Sequence, residues 1–309
     1  MTRRTCIATA AGMVLPGTFS RLSAADTTGA AGKNQVRFVS SLSLIGEVNP
    51  SDANAAVISW RVEIEKLGDL QLTFDAPALY SPERLAQMIR TGAVDGFAVT
   101  SPEYFGVADY VDRNTVLIDD IYAGGGEEYV ILSSVQSVVG SLNDLRGRDL
   151  LVFNNPTTCL AANWLDVLLD SALPGGAARF LGMVSLVPKL SRSVLPVYFG
   201  QRDACLVTRR GFRTMCEMNP DLNRQLRVLA VSPKVIPVCL AFHKNCPPAR
   251  KAAFIAAMGR LPKAPGGKQL LSLFQSHGVV VSNASVLHSA GELVRAAEKI
   301  RSRSARSSG

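Results

Sequence analysis

The chain has 309 residues, enough for two lobes that each bury a hydrophobic core. Its formal charge of +8 is concentrated at the ends, with Arg3, Arg4 and Arg21 near the start and Lys299, Arg301, Arg303 and Arg306 near the finish. The body is therefore close to neutral, which gives no support to a nucleic-acid-binding face, and no apolar run past residue 25 approaches the roughly 18 residues a membrane span requires.

Residues 1–25 have the layout of an export signal: Arg3 and Arg4, an apolar stretch from Cys6 to Leu15, and small residues around Ala25 for cleavage. The expected location of the mature chain is the periplasm. Thr2-Arg3-Arg4 also resembles a twin-arginine start, but the following residues fit that pattern poorly, so both export routes stay open. Cleavage leaves five cysteines, Cys159, Cys205, Cys216, Cys239 and Cys246, an odd number, so at least one is unpaired or pairs between chains. Cys239 and Cys246 are near enough in sequence to bridge, and this remains open. With no CxxC and three scattered histidines, neither a metal nor a cofactor is expected.

From Gln35 onward, strand-like apolar runs alternate with helix-period segments, the pattern of an α/β fold with mostly parallel sheets flanked by helices. Val36 to Val39 is a first strand. Ser51 and Asp52 are cap candidates for the helix that follows, Leu70 to Phe74 is a second strand, and Ser81-Pro82-Glu83 begins a helix. Val94 to Val99 is a third strand, with Thr100-Ser101-Pro102-Glu103-Tyr104 at its carboxyl end, where ligands bind in open α/β sheets. Asn114 to Asp120 is a further strand. Gly124-Gly125-Gly126 then marks a crossover into a second lobe beginning near residue 127.

In that lobe Leu150 to Phe153 is a strand and Asn154-Asn155-Pro156-Thr157-Thr158-Cys159 a polar turn opening onto a helix to Leu173. Free amides and two hydroxyls converge there, a seat for a small anion, with an ordinary helix cap as the plain alternative. Strands follow around Phe180 to Leu186 and Ala204 to Val207. The chain returns through Leu226 to Val231 and Ile236 to Phe242, and helices are expected at about Pro247 to Arg260, Gly267 to Ser276 and Ser285 to Ile300.

Several short motifs recur in order: Ser51-Asp52-Ala53-Asn54, Gly92-Ala93-Val94-Asp95-Gly96, Ser101-Pro102-Glu103-Tyr104, Ser141 to Gly147, Asn155-Pro156-Thr157-Thr158, Ser193-Val194-Leu195 and Gly200 to Ala204. In this order, from about Gln35 to His288, the chain resembles the phosphate/phosphonate-binding family of ABC-importer periplasmic solute-binding proteins. The resemblance implies a type 2 periplasmic binding fold, two lobes joined by a two-segment hinge. Residues 34–126 and 232–300 would form the first lobe, 127–231 the second, and 301–309 a basic disordered tail. It further implies an anion held by Thr157, Thr158 and the amide of Cys159, with first-lobe contacts from Ser41, Ser43, Thr100, Ser101 and Tyr104. For Tyr104 a packed core aromatic is the plain alternative. Amine-binding members of the family carry second-lobe carboxylates, whereas this chain has Leu190-Ser191-Arg192-Ser193 and Thr208-Arg209. Arg192, Ser193 and Thr208 are therefore candidate ligand contacts, and Arg192 or Arg209 could meet an additional anionic group, unless each arginine is a solvated surface charge.

The expected role is capture of a small phosphate- or phosphonate-like oxyanion for the membrane permease of an ABC importer, by a monomer with no nucleic-acid partner. A sensor subunit reporting to a membrane kinase or chemoreceptor is the alternative within the same fold. An enzyme using Cys159 as nucleophile is disfavoured, since no histidine lies near it in sequence, and an iron site lacks closely paired tyrosines.

Overall fold

The structure is a computed structural model that describes residues 35–307 other than 47, 69, 74–78, 274 and 275. The expected export signal lies outside the described residues. Two sheets form the frame. In chain order the strands are β1 (Gln35–Ser41), β2 (Gln71–Thr73), β3 (Leu79–Tyr80), β4 (Gly96–Thr100), β5 (Val111–Asp119), β6 (Tyr129–Ser134), β7 (Leu150–Phe153), β8 (Val184–Val187), β9 (Ala204–Thr208), β10 (Leu226–Val231), β11 (Val238–His243) and β12 (Val279–Ser282). The first sheet runs β12-β5-β11-β4-β1-β2, with β3 also on β1, and the second runs β10-β6-β9-β7-β8.

Both sheets are mixed. Parallel pairing joins β1 to β2, β3 and β4, and joins β7 to β8 and β9. The strands that flank the crossings, β5 with β11 and β6 with β9 and β10, pair antiparallel. A helical crossover returns the chain in the same direction and gives parallel neighbours, whereas passage from one sheet to the other brings it back reversed. The stretch from Phe180, expected to be extended, begins instead as a helical turn at Ala177–Phe180, and the strand starts only at Val184.

Each sheet buries apolar residues on both faces, as sheets covered by helices must. On one face of the first sheet Phe38 stacks on Phe254 at 4.8 Å, and Phe242 meets Phe254 edge-on. On the other, Val39, Phe97, Val99, Ile118 and Cys239 pack together. Cys246 belongs to the Phe38 face, so the sheet separates it from Cys239. The five cysteines among the described residues are free.

The motif around Asp95 is a packing device. Asp95 is 2% exposed and accepts from the Arg37 backbone amide at 2.9 Å and the Arg37 side chain at 2.9 and 3.2 Å, while Arg250 pairs with it at 3.3 Å. These contacts pin β1, β4 and the helix Pro248–Arg260 together, and the Arg37 hydrogen bonds hold the Asp95 carboxyl below the usual range against the opposing effect of burial. The first long helix, α1 (Pro50–Leu67), is capped by Asn49, whose side chain accepts from the Ser51 amide at 2.8 Å, rather than by Ser51 or Asp52.

The C-terminal helix His288–Ser307 departs most from expectation. It puts Ala290, Leu293 and Val294 into the second lobe's core, beside Trp164 and Leu165 of the helix Ala161–Asp170, although residues up to 300 were expected with the first lobe. The stretch from 301, expected to be a disordered tail, continues the helix through Ser307. Arg301 pairs with Asp166 at 2.7 Å and Arg303 with Asp170 at 2.6 Å. Periodicity showed the apolar face but not which lobe would cover it.

The chain crosses between the sheets at residues 120–128 and 232–237. Glu127 and Val235 exchange backbone hydrogen bonds of 2.7 and 2.9 Å. Gly126 has φ +112°, and a side chain there would collide with the Val235 carbonyl. Gly124 has open space beside it. We therefore expect Gly126→Ala to cost about 1–3 kcal/mol in urea unfolding and Gly124→Ala to stay within about 0.5 kcal/mol of the parent.

Candidate functional site

Ser41 and Thr100 end β1 and β4, which are parallel neighbours in the sheet. A short helix, Ser101–Gly106, leaves β4 with Pro102 in its first turn. Its third residue, Glu103, gathers the local donors: Ser41 Oγ donates to Glu103 Oε1 at 2.7 Å and the Thr100 amide donates to Oε2 at 2.8 Å. Ser41 Oγ in turn accepts from the Ser43 amide at 3.1 Å, and Ser43 itself is exposed.

Ser101 is fully buried. Its amide donates to the Pro237 carbonyl at 2.7 Å and its hydroxyl to the Ile236 carbonyl. Tyr104 packs in the first-lobe core against Phe105, 2% exposed, and its hydroxyl is buried without a hydrogen-bond partner among the described residues. Burial pushes that phenol up to about 12.

From the second lobe, the turn after β7 reaches the same place. Cys159 Sγ lies 3.2 Å from the Pro237 carbonyl, so one first-lobe oxygen receives donors from both sides. A methyl group on Gly46 would sit 3.2 Å from the Pro156 ring, which brings the loop after β1 against the same turn. Within the turn, the Thr157 amide and hydroxyl both donate to Asn155 Oδ1, at 3.0 and 2.8 Å. The Thr158 hydroxyl bonds the Phe153 and Asn155 carbonyls at 2.6 and 2.8 Å and lies 3.1 Å from the Asn155 amide. Tyr129, buried at the start of β6, donates its hydroxyl to the Thr157 carbonyl at 3.0 Å. Sequence reasoning missed Tyr129 because nothing local links it to a turn 28 residues away.

The remaining candidates lie along the same sheet edge without joining this group. Arg192 is exposed, and Ser193 is fully buried in the helix Leu190–Tyr198, 3.5 Å from the Lys189 carbonyl. Thr208 caps the next helix by accepting from the Gly211 amide at 3.1 Å. Arg209 is engaged by Glu128 at 2.8 Å. Glu127 is 5% exposed and paired with Arg210; burial nevertheless holds its carboxyl above the usual range. Arg210 also bonds the Ile121 carbonyl at 2.9 Å and lies over the Tyr122 ring, clasping the first crossing. Among the described residues no cluster of His, Cys, Asp or Glu could hold a metal ion.

Burial pushes the Cys159 thiol up to about 12, with Glu103 adding to the shift and the Ser101 amide opposing it. A thiol so protonated is a poor nucleophile. We expect iodoacetamide at pH 7.5 to alkylate Cys159 at least about 100-fold more slowly than free cysteine, read by peptide mass spectrometry. Because the Thr158 hydroxyl is turned into its own loop, Thr158→Val is expected to lower stability by about 1–2 kcal/mol in urea unfolding.

The description "ABC transporter, phosphonate, periplasmic substrate-binding protein" belongs to the family model that matches residues 70–287. No curated protein matches the chain. Among solved structures, a Xanthomonas citri protein bound to chloride is 13% identical, with 87% of this chain and 99% of that one covered and a TM-score of 0.59. A binding-protein component of an ABC phosphonate transporter from Pseudomonas aeruginosa is 13% identical over 86% and 87% of the two chains, TM-score 0.58. PhnD1 from Prochlorococcus marinus in complex with methylphosphonate is 13% identical over 85% and 98%, TM-score 0.58. At this identity the structures speak for the fold, two lobes of the periplasmic binding type, and the family model extends over most of the chain. The chain belongs to the phosphonate family of periplasmic substrate-binding proteins of ABC transporters.

Proposed function

We propose that this protein is exported, captures a small phosphate- or phosphonate-like oxyanion between its two lobes, and presents it to the permease of an ABC importer. The carrying observation is the convergence of Ser101 and Cys159, one from each lobe, on the Pro237 carbonyl at the strand ends. This is where ligands lie in open α/β sheets.

The Thr157 turn supports the reading. Its amide and hydroxyl already converge on a single oxygen, Asn155 Oδ1. An oxyanion oxygen in place of that amide oxygen would receive the same two donors, and bonds to a charged acceptor are the stronger. In this reading Thr157 contacts the anion from the second lobe beside Cys159, Thr158 braces the turn from within, and Arg192, Ser193 and Thr208 lie further along its edge. Ser41, Ser43, Thr100 and Ser101 form the opposite wall, with Tyr104 in the core behind it. Catalysis is not part of the reading, since Cys159 is held protonated.

A ligand that bridges the two lobes would favour the closed arrangement by its differential affinity. Purified protein lacking residues 1–25 is expected to show a raised melting midpoint with phosphate, phosphite or an alkylphosphonate, and no shift with sulfonates or small carboxylates, in a thermal-shift panel. A panel with no shift for any phosphorus oxyanion would overturn the assignment.

A further inference from the structure

We infer that Arg210 is a latch across the first crossing, holding the two lobes with their walls in contact before any ligand arrives. The glycines at 124–126 give this crossing its freedom. Gly125 and Gly126 have φ of +110° and +112°, and a side chain on Gly124 would meet open space. Arg210 reaches from one side of that stretch to the other. It stands in the first turn of the helix Arg209–Met218, which Phe212 anchors in the second-lobe core. Beyond the glycines its Nε lies 3.4 Å from Glu127 Oε2. Before them its Nη2 donates to the Ile121 carbonyl at 2.9 Å, and its guanidinium lies over the Tyr122 ring at 5.5 Å. Ile121 and Tyr122 pack in the first-lobe core.

Both ends of this bridge are fixed by other contacts. Glu127 Oε1 accepts from the Glu128 and Arg210 amides at 3.2 and 3.4 Å, and Tyr122 is 2% exposed. A planar guanidinium serves a carboxylate, a carbonyl and a ring face at once. From the second crossing, Lys234 Nζ donates to the Gly124 carbonyl at 3.3 Å and adds a further hold on the loop. In the arrangement held this way the walls already touch: Cys159 Sγ is 3.2 Å from the Pro237 carbonyl, and the loop at Gly46 abuts Pro156. Without the bridge, the glycines regain their backbone freedom and the population moves toward separated lobes. Arg209 is the natural contrast. It pairs with Glu128 at 2.8 Å, wholly on the second-lobe side of the glycines, so it makes a similar ion pair without spanning them.

The plain alternative is that Arg210 only neutralises Glu127 and leaves the lobe arrangement to the rest of the fold. Hydrogen–deuterium exchange of peptides covering 120–128, together with small-angle X-ray scattering, separates the two accounts on purified protein with no ligand added. In Arg210→Ala we expect those peptides to exchange about tenfold faster than in the parent, with a larger radius of gyration. In Arg209→Ala both readings are expected to stay at the parent's values. If Arg210→Ala does not fold because the buried Glu127 carboxylate is left alone, the double variant Glu127→Gln/Arg210→Ala removes that charge and is read in the same way. Parent-like exchange without Arg210, or an equal acceleration in Arg209→Ala, overturns the latch. Faster exchange with an unchanged radius of gyration reduces Arg210 to local packing and overturns it as well.

Discussion

At the crossing between the sheets, Glu127 and Val235 exchange two backbone hydrogen bonds of 2.7 and 2.9 Å, and the positions of both cleft walls follow from that pairing. Gly126 is held with its backbone against the Val235 carbonyl. Two residues further along, Tyr129 donates its amide to Ser232 Oγ at 2.7 Å and accepts the Ser232 amide at 2.9 Å. The second crossing is thereby clamped along the first, and the Pro237 carbonyl emerges where Ser101 and Cys159 reach it from opposite sides. Around this pairing Arg210 joins Glu127, Ile121 and Tyr122. Glu127 is buried whereas Arg210 is largely exposed, so loss of Arg210 would leave a buried carboxylate without its partner, while loss of Glu127 would leave a guanidinium that water can still solvate.

The cleft is polar on both sides, but its hydrogen bonds are distributed unevenly. On the second-lobe side a threonine amide and hydroxyl aim at a single oxygen, an arrangement suited to an anion. On the first-lobe side the comparable groups are aimed at a carboxylate.

The C-terminal helix ties the two halves of the site together. Gly291 lies against Phe105, next to Tyr104 on the helix that carries Glu103, and a side chain at 291 would meet that ring at 2.7 Å. Ala290, Leu293 and Val294 continue into the core behind the Ala161–Asp170 helix, which follows the Thr157 turn. The ion pairs of Arg301 and Arg303 add little individually, being partly exposed, but with the apolar stripe they keep the last turns helical. The same element therefore backs both walls.

Much of the frame was legible in the sequence because it depends on neighbours in the chain. Apolar periodicity located most strands and helices, the three glycines marked the first crossing, and the Asn-Asn-Pro-Thr-Thr run marked a turn at a strand's carboxyl end. The ordered motifs, including the aspartate that proves to be a clamp for β1 and β4, carried the family resemblance. What tertiary structure decided was where each polar group is directed. Ser41 and Glu103 are 62 residues apart, Cys159 and Pro237 are 78 apart, and Asp166 and Arg301 are 135 apart. No local pattern indicates that a helix-capping glutamate will collect a hydroxyl from another strand, or that Thr158 will turn its oxygen into its own loop. Nor does it show that a basic C-terminus will find two aspartates on the other lobe. Local sequence set the elements and the backbone angles at the crossing; only packing brought distant donors, acceptors and charges within bonding distance and so determined the chemistry the cleft presents.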